Sequence, residues 1–234
     1  EELKKTHEKL VQSEKLASIG ILASGVAHEI NNPLGGIFNC LSMLDKTADD
    51  TESRNKYLSL VKEGVDRIEN TVSRLLWMSR KPDHAPVEVN VRSAVESAYS
   101  FLEYKMKKCG IRFENEIPFD IIITFDLHDF QQMLINLFIN SIHAMKDGGK
   151  LTVNSRLRDS KAAIEIMDTG CGITEENTGK IFDPFFTTKP TGEGTGLGLW
   201  LTYEIIRNYN GEISVQSKVG EGSRFTITFP VKGT

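Results

Sequence analysis

A histidine, a glutamate and an asparagine lie within about one helical turn of each other early in the chain. The segment 28–33 reads His-Glu-Ile-Asn-Asn-Pro, so His28 and Asn32 share one face of a helix. Pro33 lacks an N–H and clashes with the carbonyl of Glu29, which predicts a bend at these polar groups. An imidazole accepts a phosphoryl group well when a neighbour such as Glu29 orients the ring or takes its proton. By itself the segment is also compatible with a solvated histidine on a helical hairpin.

Two asparagines, Asn136 and Asn140, lie four residues apart in a segment whose apolar spacing predicts a helix over about 129–145. Their carboxamides fall on one helical face, beside the apolar residues of that segment. Alone, the pair is equally explained as two polar groups on a helix surface.

Asp168 directly follows the strand-like run 162–167 and begins the segment Asp-Thr-Gly-Cys-Gly-Ile. A carboxylate at the end of a strand, followed by Gly170 and Gly172 where the backbone can come close to a ligand, suits recognition of a purine amino group. The alternative is a plain turn, since this pattern occurs in many loops.

The segment 192–199, Gly-Glu-Gly-Thr-Gly-Leu-Gly-Leu, runs into a predicted helix. Glycines before a helix N-terminus expose backbone N–H groups and the positive end of the helix dipole to an anion. The segment lacks the pattern of a P-loop and of a dinucleotide-binding loop. Lys189, just upstream, is placed to add a charge-assisted contact to phosphate. The same glycines would also make a flexible hinge.

Three phenylalanines stand between these glycine segments, in the run Ile-Phe-Asp-Pro-Phe-Phe over 181–186. They either anchor a mobile lid over a nucleotide or belong to the hydrophobic core.

The elements that must position these groups fall into two parts. Residues 1–46 read as one long amphipathic helix, and 52–80 read as a second. A short turn with candidate capping residues Asp49, Asp50 and Thr51 joins them into an antiparallel hairpin. The apolar stripe is too wide to remain in water, so we expect a homodimer that forms a four-helix bundle.

Two prolines in 81–86 predict a domain boundary, and the pattern changes after it. The later segments interleave helices and strands irregularly, which predicts an α+β sandwich of two layers. We therefore expect a helical hairpin over 1–81, a linker over 82–89 and a second domain over 90–234. The predicted helices of that domain are 90–108, 129–145 and 199–209, and its predicted strands are 111–117, 121–125, 150–156, 162–167, 212–216 and 223–230.

Composition excludes several classes of protein. The formal charge of −4 over 234 residues argues against a nucleic-acid binder. Three distant cysteines fit no metal spacing and indicate reduced thiols. No run approaches the roughly 20 apolar residues of a membrane helix, so we expect no direct membrane contact by this chain and a cytoplasmic location, which includes that of the cytoplasmic part of a membrane-anchored protein.

The order of the motifs carries more information than any one of them. His-Glu-x-x-Asn-Pro, Asn-x-x-x-Asn, Asp-x-Gly-x-Gly, Phe-x-Pro-Phe and Gly-x-Gly-Leu-Gly-Leu follow one another between Ser18 and Phe229. This succession resembles the H, N, G1, F and G2 boxes of sensor histidine kinases. The resemblance implies a dimerisation and phosphotransfer hairpin, followed by an ATP-binding domain of the gyrase–Hsp90–kinase type. It also implies an upstream sensor domain outside this chain and a response regulator receiver domain as partner.

The resemblance also implies roles for individual residues. His28 would accept the phosphoryl group, Glu29 would be its acid/base partner, and Asn32 would position water for dephosphorylating the response regulator. Asn140 would bind Mg²⁺ with Asn136 beside the phosphates of ATP, and Asp168 would bind the adenine amino group. The remaining nucleotide contacts would come from His143, Gly170, Gly172, Ile173, Phe182, Lys189, Gly194, Thr195, Gly196, Leu197, Gly198 and Leu199.

One position discriminates among relatives of this ATP-binding domain. Gyrase-like ATPases carry a glutamate where Asn136 stands, and an amide cannot serve as a general base. That favours transfer to histidine, with Glu29 as the base. The alternatives are an ATP-driven conformational machine without a phospho-acceptor, and a dimeric helical scaffold with an inactive nucleotide pocket.

Overall fold

The computed structural model describes residues 27, 30–44, 46, 50–79, 86–158, 161–189 and 196–230. The chain divides into two compact units. The first contains the two N-terminal helices, and the second consists of Pro82–Phe186 and Gly196–Thr234. No helix within the described ranges combines the length and the apolar character that a membrane crossing requires.

The first unit is a helical hairpin made of α1 (30–44) and α2 (Thr51–Ser79). Asp50 caps α2, because its side chain accepts hydrogen bonds from the backbone N–H groups of Glu52 and Ser53 at 3.1 and 3.2 Å. Hydrogen bonding to Ser53 lowers the pKa of this carboxyl. The helices pack closely at Gly64, where an added Cβ would lie 2.7 Å from Cγ1 of Ile37. One of the three predicted capping residues is thus confirmed.

The second unit contains a mixed sheet and a smaller two-stranded sheet. Its strands and helices, in chain order, are β1 (Val87–Asn90), α3 (Val91–Lys108), β2 (Ile111–Asn115), β3 (Ile122–Phe125), α4 (Leu127–Ala144), β4 (Gly149–Arg158), β5 (Lys161–Asp168), α5 (Glu175–Thr178), α6 (Gly198–Asn208), β6 (Glu212–Lys218) and β7 (Gly222–Pro230).

The main sheet has the strand order β2-β4-β5-β7-β6, and every neighbouring pair is antiparallel except β2–β4. Parallel neighbours require a long crossover, which here includes α4. The sequential strands β4 and β5 form an antiparallel pair, and so do β6 and β7. The predicted strands 111–117 and 121–125 do not pair with each other, because β2 pairs with β4 whereas β3 pairs with β1. β1 was not expected, and it begins within the segment 82–89 that we interpreted as a linker.

The helices α3, α4 and α6 make up the second layer, with α4 in contact with both of the others and with β5. Apolar side chains of α4 and the sheet fill the space between the layers, as the two-layer α+β prediction requires. The largest fully buried side chains are Phe125, Phe130, Phe138, Met106, Ile117, Met133, Leu134, Leu137, Ile142, Met145, Leu151 and Ile164.

Tyr209, immediately after α6, fastens that helix to the start of α4. Its ring stacks on Phe125 with the ring centroids 3.6 Å apart. Its hydroxyl donates to Oδ2 of Asp129 at 3.1 Å and accepts from the backbone N–H of Asp126 at 3.3 Å. Burial raises the pKa of the phenol, with the Asp129 charge as a further cause. Both helices that line the site described below are therefore held in register at this end.

We expect Tyr209→Phe to lower the free energy of unfolding by about 1.5–3 kcal/mol, because it removes a hydrogen bond to a carboxylate at a partly buried site. Urea denaturation of the purified chain measures the change. Tyr104→Phe is the control, since Tyr104 is 81% exposed, and its effect should stay within about 0.5 kcal/mol. Equal effects of the two substitutions would contradict this account of Tyr209.

Candidate functional site

Asp168, the last residue of β5, is a buried carboxylate with 6% of its surface exposed. One oxygen accepts the backbone N–H of Gly170 at 2.9 Å, and the other accepts the hydroxyl of Ser141 at 3.3 Å. Burial raises the pKa of Asp168, although these hydrogen bonds oppose the shift. Since an ionised carboxylate has about four lone-pair positions, the group retains the capacity to accept a hydrogen bond from a ligand.

The loop after Asp168 needs glycine at two positions for different reasons. At Gly170, an added Cβ would lie 2.6 Å from Cβ of Ala144, so the loop lies directly against the end of α4. The backbone N–H of Cys171 donates to the carbonyl of Ala144 at 3.0 Å. Gly172 has φ +72°, and a Cβ there would lie 2.1 Å from the carbonyl oxygen of Lys218. Backbone contacts therefore fix the loop on two sides.

The hairpin of β6 and β7 supplies the second wall of this loop. Ser217 accepts the backbone N–H of Ile173 at 2.8 Å and donates its own hydroxyl to the carbonyl of Gly222 at 2.8 Å. An added Cβ at Gly222 would lie 2.0 Å from the carbonyl oxygen of Asp168. The loop that carries Asp168 is thus enclosed by residues much later in the chain.

Helix α4 carries the asparagine pair. Asn136 is 4% exposed, and its Oδ1 accepts a hydrogen bond from Nε2 of Gln132 at 3.2 Å. Its Nδ2 is buried and has no hydrogen-bond partner among the described residues. Asn140 and His143 are half-buried on the same helix. Asn140 immediately precedes Ser141, the residue that binds Asp168, so this helix connects the asparagines to the carboxylate.

The N-terminus of α6 lies beside Asn136. An added Cβ at Gly198, the first residue of α6, would lie 3.9 Å from Cγ and Oδ1 of Asn136. Leu197, at the capping position, is 1% exposed, and no side chain within the described ranges caps this helix. Among the residues that the structure describes, the N–H groups of the first turn have no side-chain acceptor, which is the condition for binding an anion.

Gly196, two residues before α6, has φ +65°, and an added Cβ would lie 2.2 Å from the carbonyl carbon of Phe185. Phe185 itself has φ +63°, a strained conformation for a bulky residue. Phe185 and Gly196 are therefore in direct contact, and this contact holds the two ends of the segment between them close together.

Three other residues that are expected to contact the nucleotide lie at separate positions in the structure. The ring of Phe182 is half-buried, with its centroid 5.7 Å from that of Tyr203 on α6. Leu199 is half-buried in the first turn of α6. The backbone N–H of Lys189 donates to the hydroxyl of Thr187 at 3.1 Å.

The expected residues of the first unit are described only in part. His28 and Glu29 lie outside the described residues, as do Gly194 and Thr195 of the glycine segment. Asn32 is exposed on α1, and the helix continues through Pro33.

Sequence reasoning missed two side chains that act on the site residues, Gln132 and Ser141. Gln132, Asn136 and Asn140 continue one spacing of four residues, which is a signal that would have identified Gln132. Ser141 is a polar residue on an otherwise apolar face of α4, and that pattern alone does not indicate its partner.

The chain matches two protein families in tandem. Residues 18–83 match the His Kinase A (phospho-acceptor) domain. Residues 125–233 match the Histidine kinase-, DNA gyrase B-, and HSP90-like ATPase family. The Asp168 loop, the asparagine pair and the N-terminus of α6 all lie within the second match.

Individual relatives agree with these matches. The chain is 36% identical to the signal transduction histidine-protein kinase AtoS of Escherichia coli (strain K12) over 230 residues, which cover 97% of this chain and 37% of AtoS. It thus spans less than half the length of that relative.

Solved structures of the histidine kinase ThkA are similar as well. The catalytic domain of ThkA matches with a TM-score of 0.58 and 33% identity, over 63% of this chain and 97% of that domain. ThkA in complex with the response regulator protein TrrA matches with a TM-score of 0.82 and 29% identity, over 99% of this chain and 67% of that chain.

We expect Asp168→Asn to become more stable relative to the unsubstituted chain as the pH rises from 4 to 7. The native state holds the Asp168 proton more tightly than the unfolded chain does, because its pKa is raised. Stability from this group is therefore full below the usual aspartate pKa and is lost as the pH rises through the raised one.

Urea denaturation at a series of pH values measures this difference. Asp183→Asn, which removes an exposed carboxylate, controls for the change in net charge. If the free energy of unfolding of Asp168→Asn instead falls relative to that of the unsubstituted chain as the pH rises, the assignment of the raised pKa to this residue is wrong.

Proposed function

This chain belongs to the histidine kinases, and we propose that it transfers the γ-phosphoryl group of ATP to its own His28. The phosphoryl group would then pass to an aspartate of a response regulator. The observation that carries the proposal is the polar site of the second unit, where Asp168 and the unpartnered Nδ2 of Asn136 are both held in buried positions by α4. The site lies in the same chain as a phospho-acceptor domain.

The adenine end of ATP would be bound by Asp168. Its carboxylate retains acceptor capacity after its bonds to Ser141 and Gly170, so it suits the donor hydrogens of the adenine amino group. Gly170 and Gly172 keep the adjoining backbone free of side chains, and Ile173 follows them as an apolar neighbour for the base. A buried, oriented acceptor of this kind selects for a donor at one position, because an unpaired polar group costs free energy.

The phosphate end would be bound by α4 and the N-terminus of α6. The unsatisfied Nδ2 of Asn136 fits an anionic oxygen, and the uncapped N–H groups of α6 fit another. We assign Asn140, one turn along α4, as the Mg²⁺ ligand, since an amide oxygen is a hard ligand of the kind Mg²⁺ takes. The metal supplies neutralisation of charge on the phosphates. His143, Phe182, Lys189, Gly194, Thr195, Gly196, Leu197, Gly198 and Leu199 are assigned to the surrounding contacts.

Transfer is favoured over hydrolysis by the residue type at position 136. A carboxamide cannot accept a proton from water, so the ATP site lacks the general base that an ATPase of this class would need there. In the transfer we propose, a ring nitrogen of His28 forms a bond to the γ-phosphorus as the bond to the β–γ bridging oxygen breaks, and ADP leaves. Glu29 orients the ring and holds the proton of the other ring nitrogen.

The proposed partners are inferred from the first unit and from the similarity of this chain to ThkA. ThkA forms a complex with a response regulator, which supports the same class of partner here. We assign Asn32, which is exposed on α1, to dephosphorylation of that partner. A second copy of the chain would cover the apolar side chains that this unit exposes, namely Phe38, Leu41, Met43, Leu58, Leu60, Val65 and Val72.

We expect incubation with γ-labelled ATP and Mg²⁺ to label the unsubstituted chain with acid-labile, alkali-stable phosphate, and His28→Gln to remove the label completely. His84→Gln, which alters a histidine of the predicted linker, should leave the labelling intact. Filter binding after acid and after alkali treatment measures the outcome.

The alternative function, an ATPase without a phospho-acceptor, gives the opposite result. Free labelled phosphate would then appear at equal rates in the unsubstituted chain and in His28→Gln, with no label on either protein. That outcome would remove His28 and Glu29 from the mechanism.

A further inference from the structure

The hydroxyl of Ser217, near the end of β6, lies where three segments of the second unit meet. Its Oγ accepts a hydrogen bond from the backbone N–H of Ile173 at 2.8 Å and donates to the carbonyl of Gly222 at 2.8 Å. It also lies 3.0 Å from Oγ of Ser223. The side chain is half-buried, and none of the motifs that identify the site includes it.

These three contacts use the whole hydrogen-bonding capacity of the Ser217 hydroxyl, which has one proton to donate and two lone pairs that accept. Because the proton is directed to Gly222, the hydroxyl of Ser223 is the donor in the contact between the two serines. Together with the N–H of Ile173, this fills both acceptor positions of Ser217. The hydroxyl therefore has no capacity left for a ligand, and it acts on a nucleotide only through its neighbours.

Ser217 is connected to Asp168 across the main sheet. Ser217 is paired with Ser223 on β7, and Ser223 is paired with Asp168 on β5. Paired residues point their side chains to the same face of a sheet, so the three form one row. Burial raises the pKa of Asp168, and a hydrogen bond from the backbone N–H of Ser223 is among those that oppose the rise. Asp168 and Ile173, the residues that the proposed function places against adenine, are thus both connected to Ser217.

Selection of adenine depends on where the Asp168 carboxylate is held, because a hydrogen bond weakens steeply when its geometry is disturbed. Hypoxanthine, the base of inosine triphosphate (ITP), has a carbonyl oxygen where adenine has its amino group. An acceptor fixed opposite that position repels it. The ring N–H beside that oxygen is a donor, which a carboxylate that is free to shift would accept. Selectivity for ATP over ITP therefore requires a rigid Asp168 loop.

We propose that Ser217 is a positioning residue, which holds the Asp168 loop so that the nucleotide site selects adenine over a base with an oxygen at the same position. This inference rests on the proposed function and deepens it. It assigns a determinant of base selectivity to a side chain that does not touch the nucleotide.

The test measures the Kd of Mg²⁺–ATP and of Mg²⁺–ITP for the purified chain by isothermal titration. Ser217→Ala removes the acceptor of Ile173 and the donor to Gly222, so the loop loses its hydrogen bond to β6. Weakening of the bond between Asp168 and the adenine amino group then lowers the preference for ATP over ITP about 10-fold. A substitution that only destabilised the domain would lower the folded fraction. Both Kd values would then rise by the same factor, and the preference would be unchanged.

Two further variants separate the hydroxyl from other effects. Ser214→Ala makes the same change on the opposite, exposed face of β6 and should leave both Kd values within about 2-fold. Ser217→Thr retains the hydroxyl and should keep the preference within about 2-fold of that of the unsubstituted chain. Should Ser217→Ala fail to fold, Ser217→Cys, whose thiol is a weak donor and acceptor, takes its place in the same measurement.

Three results would overturn the inference while the unsubstituted chain binds ATP in preference to ITP. These are an unchanged preference in Ser217→Ala or in the cysteine variant that replaces it, an equal fall in Ser214→Ala, and a preference in Ser217→Thr as low as in Ser217→Ala. Failure of the unsubstituted chain to bind ATP, or to prefer it to ITP, would instead overturn the proposed function and this inference together.

Discussion

A buried carboxylate has to be hydrogen-bonded, and in the second unit this requirement joins the sheet to the helical layer. Asp168 is the last residue of β5, the central strand of the main sheet, and the hydroxyl that satisfies it comes from Ser141 on α4. The same helix carries Asn136 and Asn140. The hydrogen bond from Ser141 to Asp168 therefore also sets where the asparagine side chains of α4 lie along the site. The contact of Tyr209 with Asp129 holds α6 against the other end of α4, so both helices that line the site have little freedom to slide.

The sequence predicted the parts of this arrangement that depend on local physics. Apolar periodicity marked α4 within two residues of its observed start at Leu127 and one of its end at Ala144. The strand before Asp168 was found because a strand-like run of apolar residues precedes a carboxylate and two glycines. Asp50 was among the predicted caps because short acidic side chains satisfy the first N–H groups of a helix. The candidate site was found through the order of its motifs, since each motif alone also had an ordinary structural explanation.

The features that the sequence did not predict depend on contacts between residues that are distant along the chain. The four residues of β1 carry no periodicity that separates them from a linker, and only their pairing with β3 makes them a strand. β2 pairs with β4 and not with β3, the next strand in the sequence, and short strands do not encode this choice. Likewise, the need for glycine at position 172 comes from the carbonyl of Lys218. The roles of Ser141 and Gln132 follow from the groups that they face, which their residue types do not reveal.

The enclosure of the Asp168 loop by the β6–β7 hairpin has a consequence for the order in which the domain is made. A ribosome delivers Asp168 well before Ser217 and Gly222, the residues that close the far side of its loop. The paired strands β4 and β5 are complete by then, whereas β7, the other neighbour of β5, is not. At that point the Asp168 loop still lacks its contacts with Ser217 and Gly222. Competence to hold a nucleotide is therefore among the last properties that the nascent domain acquires, because it requires the last two strands of the main sheet.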